Sequence, residues 1–255
     1  MNILAIANNK GGVGKTTSAQ NIGAAIGTFS NSKTLLIDLD PQANLSKSFG
    51  IYLQPGQPHV GHFMLGKEAL DNVVTTYKES NIDILPASVE LTEEEYNLRK
   101  DSKFPFNLIH ALENNTDIKQ YSFVVIDCPP TLSTLTNIAL VACDRYYVPL
   151  QAEFFSYEGL REFVNYAYKI SAINKRIQLG GVFASRFNPY NKNKFNKDLI
   201  QAVQDQLQDK FLKTYIRENV ALSKAQAKGE HIFDYDKNSH GALDYYNLTK
   251  EIILR

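Results

Sequence analysis

Ile3-Leu4-Ala5-Ile6-Ala7-Asn8-Asn9-Lys10-Gly11-Gly12-Val13-Gly14-Lys15-Thr16-Thr17 runs from an apolar stretch through a glycine loop into a long helical pattern. Five apolar residues without alternation suit a strand covered on both faces. The phosphate-loop pattern G-x-x-x-x-G-K-[ST] would place Gly at position 9, where this chain has Asn9; Gly14-Lys15-Thr16 fits the remainder. Each residue type has a mechanical reason to be there. Gly11, Gly12 and Gly14 let the backbone, with Val13 between them, turn successive N–H groups onto a phosphate. The helix that opens at Lys15, Thr16 and Thr17 adds the partial positive charge of its N-terminus. Lys15 has the reach for β- and γ-phosphates, and the Thr16 hydroxyl suits Mg²⁺.

Two further segments supply acidic groups. Thr34–Ile37 is an apolar strand that runs into Asp38-Leu39-Asp40, and alternation predicts both carboxylates on one side near its C-terminal end. Phe123–Ile126 is a second such strand, ending in Asp127 as the Mg²⁺-side acidic strand of a phosphate-loop enzyme does. An Asp after one apolar strand is ordinarily a cap or turn residue. Three strand ends meeting at one loop favour a shared site instead.

Similar apolar runs recur at Ile82–Leu85, Tyr146–Leu150 and Gly181–Ala184. Helical patterns lie between them, near Thr16–Phe29, Ser88–Arg99, Phe106–Asn114, Leu132–Ala142, Tyr157–Ile170, Lys194–Gln208 and Gly241–Leu254. Strand–helix alternation over the whole length predicts a single α/β domain, 1–255, with a doubly wound, mostly parallel sheet flanked by helices. Ligands in such folds bind at the carboxyl ends of the strands, where the motifs fall.

The 27 basic and 27 acidic residues cancel, so there is no global field to draw in DNA or an anionic membrane. The average hides a dipole. Between Lys175 and Lys228 stand eleven basic residues and four acidic ones, a local charge of +7, and the rest of the chain carries −7. Cys128 and Cys143 match no metal-ligand spacing. The N-terminus lacks a basic n-region, and no run of about 18 apolar residues occurs, so a cytoplasmic protein is expected.

Lys10, five residues before Lys15 in KGGVGKTT, resembles the second lysine of the deviant Walker A motif in the ParA/MinD superfamily. LLIDLDPQANLS (35–46), FVVIDCPP (123–130) and VPLQAEFFSYEGL (148–160) are similar to the ParA/Soj branch, the ATPases of DNA partitioning. Ile216–Ser223, Lys228-Gly229 and Tyr235-Asp236 resemble the end of that family, so the likeness spans nearly the whole chain apart from about Leu53–Lys103. The resemblance implies ATP and Mg²⁺ as cofactors and a homodimer that sandwiches two nucleotides, with slow hydrolysis by single copies. It implies that Lys10 reaches the partner's phosphates, that Asp40 orients the attacking water, that Asp38 supports it and the Mg²⁺ shell, and that Asp127 acts through metal-bound water, with Thr16 a direct ligand. It implies non-specific double-stranded DNA and a ParB-like or other cargo adaptor as partners, and a nucleoid-associated location. Lys192, Lys194, Lys197, Lys210, Lys213, Arg217 and Lys224 are the candidate DNA contacts.

One departure stands out. Many Soj-like proteins read Pro-Arg-Asn where this chain has Arg217-Glu218-Asn219, so the family's arginine position holds Glu218. In the family this loop lies near the adenine, which makes Arg217 and Asn219 candidates for the base pocket. The chain begins one residue before its first strand, so no N-terminal helix-turn-helix domain is expected. A MinD-like membrane ATPase needs a basic amphipathic C-terminal helix, and Tyr245–Arg255 is amphipathic but poor in basic residues, fitting packing against the sheet better. An ATPase like the nitrogenase iron protein holds a metal cluster with cysteines from two subunits, but Cys128, directly after Asp127, and Cys143, in the apolar helical run Ile138–Cys143, both fit small core residues.

Overall fold

In a computed structural model of the chain, residues 1–30, 32–153, 156–189 and 194–255 are described; Lys192, the Lys194 side chain, and Phe154 and Phe155 of the 148–160 segment lie outside the described residues. Among the described residues seven strands form one sheet: β1 (Asn2–Ile6), β2 (Thr34–Asp38), β3 (Thr75–Thr76), β4 (Ile82–Leu85), β5 (Phe123–Asp127), β6 (Arg145–Gln151) and β7 (Gln178–Ser185). Their order is β3-β4-β2-β5-β1-β6-β7, parallel throughout except for β3, which runs antiparallel to β4 at the edge. All six expected strands are present. The two-residue β3 has no sequence signature because it is too short for a period.

Successive side chains of a strand face opposite ways, and here both faces are buried. Ile3 and Ala5 of β1, Leu35 and Ile37 of β2, and Val124 and Ile126 of β5 join one apolar core with Leu135, Ile138, Leu160 and Phe163 from helices Thr134–Ala142 and Ser156–Ile170. Leu4, Ile6, Leu36 and Val125 enter the opposite core with Ala19, Ile22 and Ile26 of helix Lys15–Phe29. Each large aliphatic side chain so enclosed contributes about 1.5–3 kcal/mol. The C-terminal helix His240–Ile253 buries Tyr245, Leu248 and Ile252 in that second core, as its amphipathic pattern implied.

Helix ends follow local chemistry. Ser133 accepts the Thr136 N–H, so the helix expected from Leu132 begins at Thr134; Ser239 caps His240–Ile253 through the Ala242 N–H. Helix Lys15–Phe29 differs: Gly14 stands at its N-cap in the left-handed region (φ 90°), and among the described residues no side chain caps it. The first N–H donors of the helix are left for a ligand.

Sequence patterning missed the short helices Asn44–Lys47, Val60–Met64, Leu70–Val73 and Ile232–Tyr235, and Val220–Ala227. The first four, of four or five residues each, hold too little of a 3.6-residue period to register. The segment after β2 and the C-terminal third are stitched together. Gln20 Nε2 donates to the carbonyls of both Ser48 (2.8 Å) and Glu230 (3.1 Å). The backbones of Gly50 and Gly229 cross so closely that a Cβ on Gly229 would stand 2.9 Å from the Gly50 nitrogen.

Candidate nucleotide site

Strand order assembles the site. β1 lies between β5 and β6, and β2 lies on the far side of β5, so the ends of β2, β5 and β1 are consecutive. Asp38 is paired in register with Asp127, and Asp127 with Ile6. The glycine loop that follows β1 therefore rises directly beside two carboxylates.

A cavity of about 520 Å³ opens over the loop, lined by Gly11, Gly12, Gly14, Lys15, Thr16 and Thr17 on one side. Asp40, Asn44 and Lys47 face them across it. Lys15 is buried, and its ammonium donates to the Lys10 carbonyl (2.7 Å), folding back over the loop. Burial lowers its pKa, while the charges of Asp127 and Asp40 oppose that drop. Val13 has its side chain in the core and its carbonyl accepts from Ser185 Oγ (2.7 Å), which ties the loop to the end of β7.

The three aspartates have different fates. β2 ends at Asp38, so Asp40, expected on the same side of a continuing strand, lies just beyond the strand's end. Asp38 is fully buried; Oδ2 accepts from Ser46 N (2.8 Å) and Ser46 Oγ (2.7 Å), and Oδ1 from Asp40 N (3.1 Å). Burial pushes its pKa up to about 6 despite those donors. Asp40 sits in the next turn, accepts Gln42 N (2.9 Å) and lines the cavity, although it too is largely buried. Asp127 is buried with the Thr16 hydroxyl near it, and among the described residues neither carboxylate oxygen has a close hydrogen-bond partner. Burial, reinforced by the Asp38 charge, raises its pKa well above the usual carboxylate range. A buried, unpartnered carboxylate next to Thr16 is the donor set a hydrated divalent cation satisfies.

Lys10 does not line the cavity. Its ammonium pairs with Glu153 (2.5 Å) beyond the end of β6 and lies 3.4 Å from Ser156 Oγ. A second cavity of about 250 Å³ shares Gly12, Gly14 and Thr17 with the first and is walled by Arg217 and Asn219. Asn219 Oδ1 caps helix Val220–Ala227 through the Ala221 N–H (2.8 Å). The Arg217 guanidinium makes a bidentate pair with Asp244, which also accepts the Arg217 backbone N–H (2.9 Å). Lys197, Lys210, Lys213 and Lys224 are exposed. Cys128 and Cys143 are buried, and no group of three or more potential metal ligands occurs among the described residues. Among them no helix is long and apolar enough to cross a membrane.

The sequence did not mark Asn44, Lys47, Tyr52 and Gln226 as cavity residues, although Gln226 Nε2 donates to Thr17 Oγ1 (3.3 Å). The Asp40-to-Ser46 stretch carried the only available signal for Asn44.

A mostly parallel sheet with a lysine-bearing glycine loop after an interior strand, and with the next two strands on one side of it both ending in aspartate, defines a phosphate-loop ATPase. The AAA domain family model matches residues 1–179. The chromosome partitioning protein ParA of Caulobacter vibrioides is 33% identical over 256 residues, covering 100% of this chain and 95% of the relative. The chromosome-partitioning ATPase Soj of Treponema pallidum is 35% identical over 253 residues, 99% of this chain and 97% of its own. Among solved structures, cobyrinic acid a,c-diamide synthase from Mycobacterium smegmatis with bound ADP and magnesium superposes with a TM-score of 0.82 at 28% identity, covering 98% of this chain and 93% of that one. The chain belongs to the ParA/Soj family of partition ATPases.

Proposed function

We propose that this chain is an ATP-switched partition ATPase working as a single domain. ATP-bound copies pair face to face and bind double-stranded DNA without sequence preference. A ParB-like or other cargo-bound adaptor then stimulates hydrolysis and releases them, so that plasmid, chromosome or protein cargo is moved across the nucleoid. One observation carries the reading: two lysines of one loop take opposite positions, Lys15 in the cavity and Lys10 outside it on Glu153. A cation outside its own site is available to a neighbouring copy's phosphates, as an arginine finger is.

In this reading the loop N–H groups and Lys15 hold the β- and γ-phosphates, with Thr17 beside them. The Mycobacterium smegmatis neighbour holds ADP and magnesium, and the unpartnered Asp127 carboxylate with Thr16 suits Mg²⁺ here. Mg²⁺ supplies charge neutralisation on the phosphates. Thr16 would hold it, and Asp127 and Asp38 would hold its water ligands. Asp40, facing the loop across the cavity, orients the attacking water. The nucleoside takes the second cavity, against Arg217 and Asn219. With only Lys15 acting in cis, single copies hydrolyse ATP slowly. The exposed Lys197, Lys210, Lys213 and Lys224 give a paired molecule a doubled basic surface, so DNA affinity follows dimerisation.

The test is light scattering with and without ATP. Lys15→Ala should fail to bind nucleotide, and Lys10→Ala should bind ATP yet stay monomeric. Normal ATP-dependent pairing of Lys10→Ala would remove the trans role.

A further inference from the structure

The second cavity has an ion pair at its mouth that the catalytic scheme leaves unused. Arg186 and Glu218 both line it, and their side chains meet at 2.9 Å while remaining 51% and 69% exposed. The rest of the wall is mostly apolar or neutral, including Ile216, Val220, Leu222 and Tyr245.

Both members stand on fixed backbone. Arg186 follows Ser185, whose hydroxyl holds the glycine loop, and precedes Phe187, whose N–H donates to the Ile216 carbonyl (3.0 Å). Between those anchors Arg186 adopts φ +50°, a left-handed conformation that side chains of this size enter only when the surroundings impose it. Glu218 lies between Arg217, pinned to Asp244, and Asn219, the cap of the next helix. A solvent-exposed ion pair adds little to stability, so it exchanges partners cheaply. Fixed backbones and a cheaply opened pair are what a ligand-reading contact requires.

We infer that Arg186 and Glu218 read the edge of the nucleobase, which makes them specificity-determining residues of the nucleotide site; this rests on the nucleotide reading proposed above. The cavity shares Gly12, Gly14 and Thr17 with the phosphate cavity, so a base placed there is joined to phosphates on the loop. The carboxylate accepts from an exocyclic amino group and the guanidinium donates to the adjacent ring nitrogen. Adenine presents that amino group beside an acceptor nitrogen. Hypoxanthine presents an oxo group beside an N–H, which sets like polarity against both side chains. A site built on hydrogen bonds rejects an analogue that leaves its polar groups unpaired.

The experiment measures Kd for ATP and for inosine triphosphate, each with Mg²⁺, by calorimetry on the full chain. The wild type should prefer ATP by about tenfold, the effect of one charged hydrogen bond, and Glu218→Gln should bring the ratio near one. The paired exchange Arg186→Glu with Glu218→Arg separates reading from mere bracing. It restores the ion pair but reverses the order of donor and acceptor, so the preference should invert toward inosine triphosphate. An unchanged ratio in Glu218→Gln, or a wild-type preference in the paired exchange, overturns the inference. Lys15→Ala, measured alongside, distinguishes the two failures: if it binds ATP as the wild type does, the phosphate-site reading itself is wrong.

Discussion

Asp127 shows at the scale of one residue how a functional group costs stability. Its carboxylate is buried with neither oxygen in a close hydrogen bond; burial and the Asp38 charge raise its pKa, and the Thr16 hydroxyl beside it only partly opposes that rise. A raised folded-state pKa means that the fold favours the protonated form. The stability tied to that proton is fully present below the unfolded pKa and is lost as the pH rises through the folded one. Removing the charge should therefore help most at high pH. In EDTA, Asp127→Asn should be more stable than the wild type by at least about 1 kcal/mol at pH 8.5, the cost of an unsatisfied buried group. Melting curves should show the gap narrowing toward pH 5.5. A wild type that melts higher at every pH would mean that the carboxylate is satisfied. The same variant should lose Mg²⁺-dependent hydrolysis, which is the trade that function imposes.

At the scale of elements, the C-terminal helix His240–Ile253 secures the segment that walls the second cavity. Asp244 accepts the backbone and guanidinium of Arg217, and Glu251 accepts the N–H groups of Lys213 and Thr214 (2.9 Å each). Two carboxylates seven residues apart lie two helical turns apart on one face, so a straight helix holds an extended segment at both points. Asp244→Ala removes the bidentate partner of a partly buried guanidinium and should cost about 2 kcal/mol in urea unfolding; a loss below about 0.5 kcal/mol would show that the pair is dispensable. Little of this was legible in the sequence, because Arg217–Asp244 joins positions 27 apart across two elements. The six main strands were legible because five-residue apolar runs covered on both faces have few other readings. So was the glycine loop, whose neighbours in the chain are also its neighbours in space. The fates of Asp38 and Asp40 were not. A strand's period predicts where side chains point only while the strand continues, and β2 stops at Asp38 so that Ser46 can close over its carboxylate.

At the scale of the whole molecule, a net charge of zero is a sum of +7 between Lys175 and Lys228 and −7 elsewhere. If four exposed lysines, Lys197, Lys210, Lys213 and Lys224, contact phosphates, each change to Glu should reduce the salt slope of DNA retention in ATP by about 0.9. A slope unmoved by all four changes would place the DNA surface elsewhere. The close crossing of Gly50 and Gly229 bears on how this chain can vary. Neither backbone has room for a side chain on Gly229, so that position is closed to substitution unless the Gly50 segment shifts, and that segment follows directly from the cavity turn of Asp40 and Lys47. Mutational drift in the C-terminal third is thus constrained by the nucleotide site through contact of main chain with main chain, a restraint that no side-chain repacking can relieve.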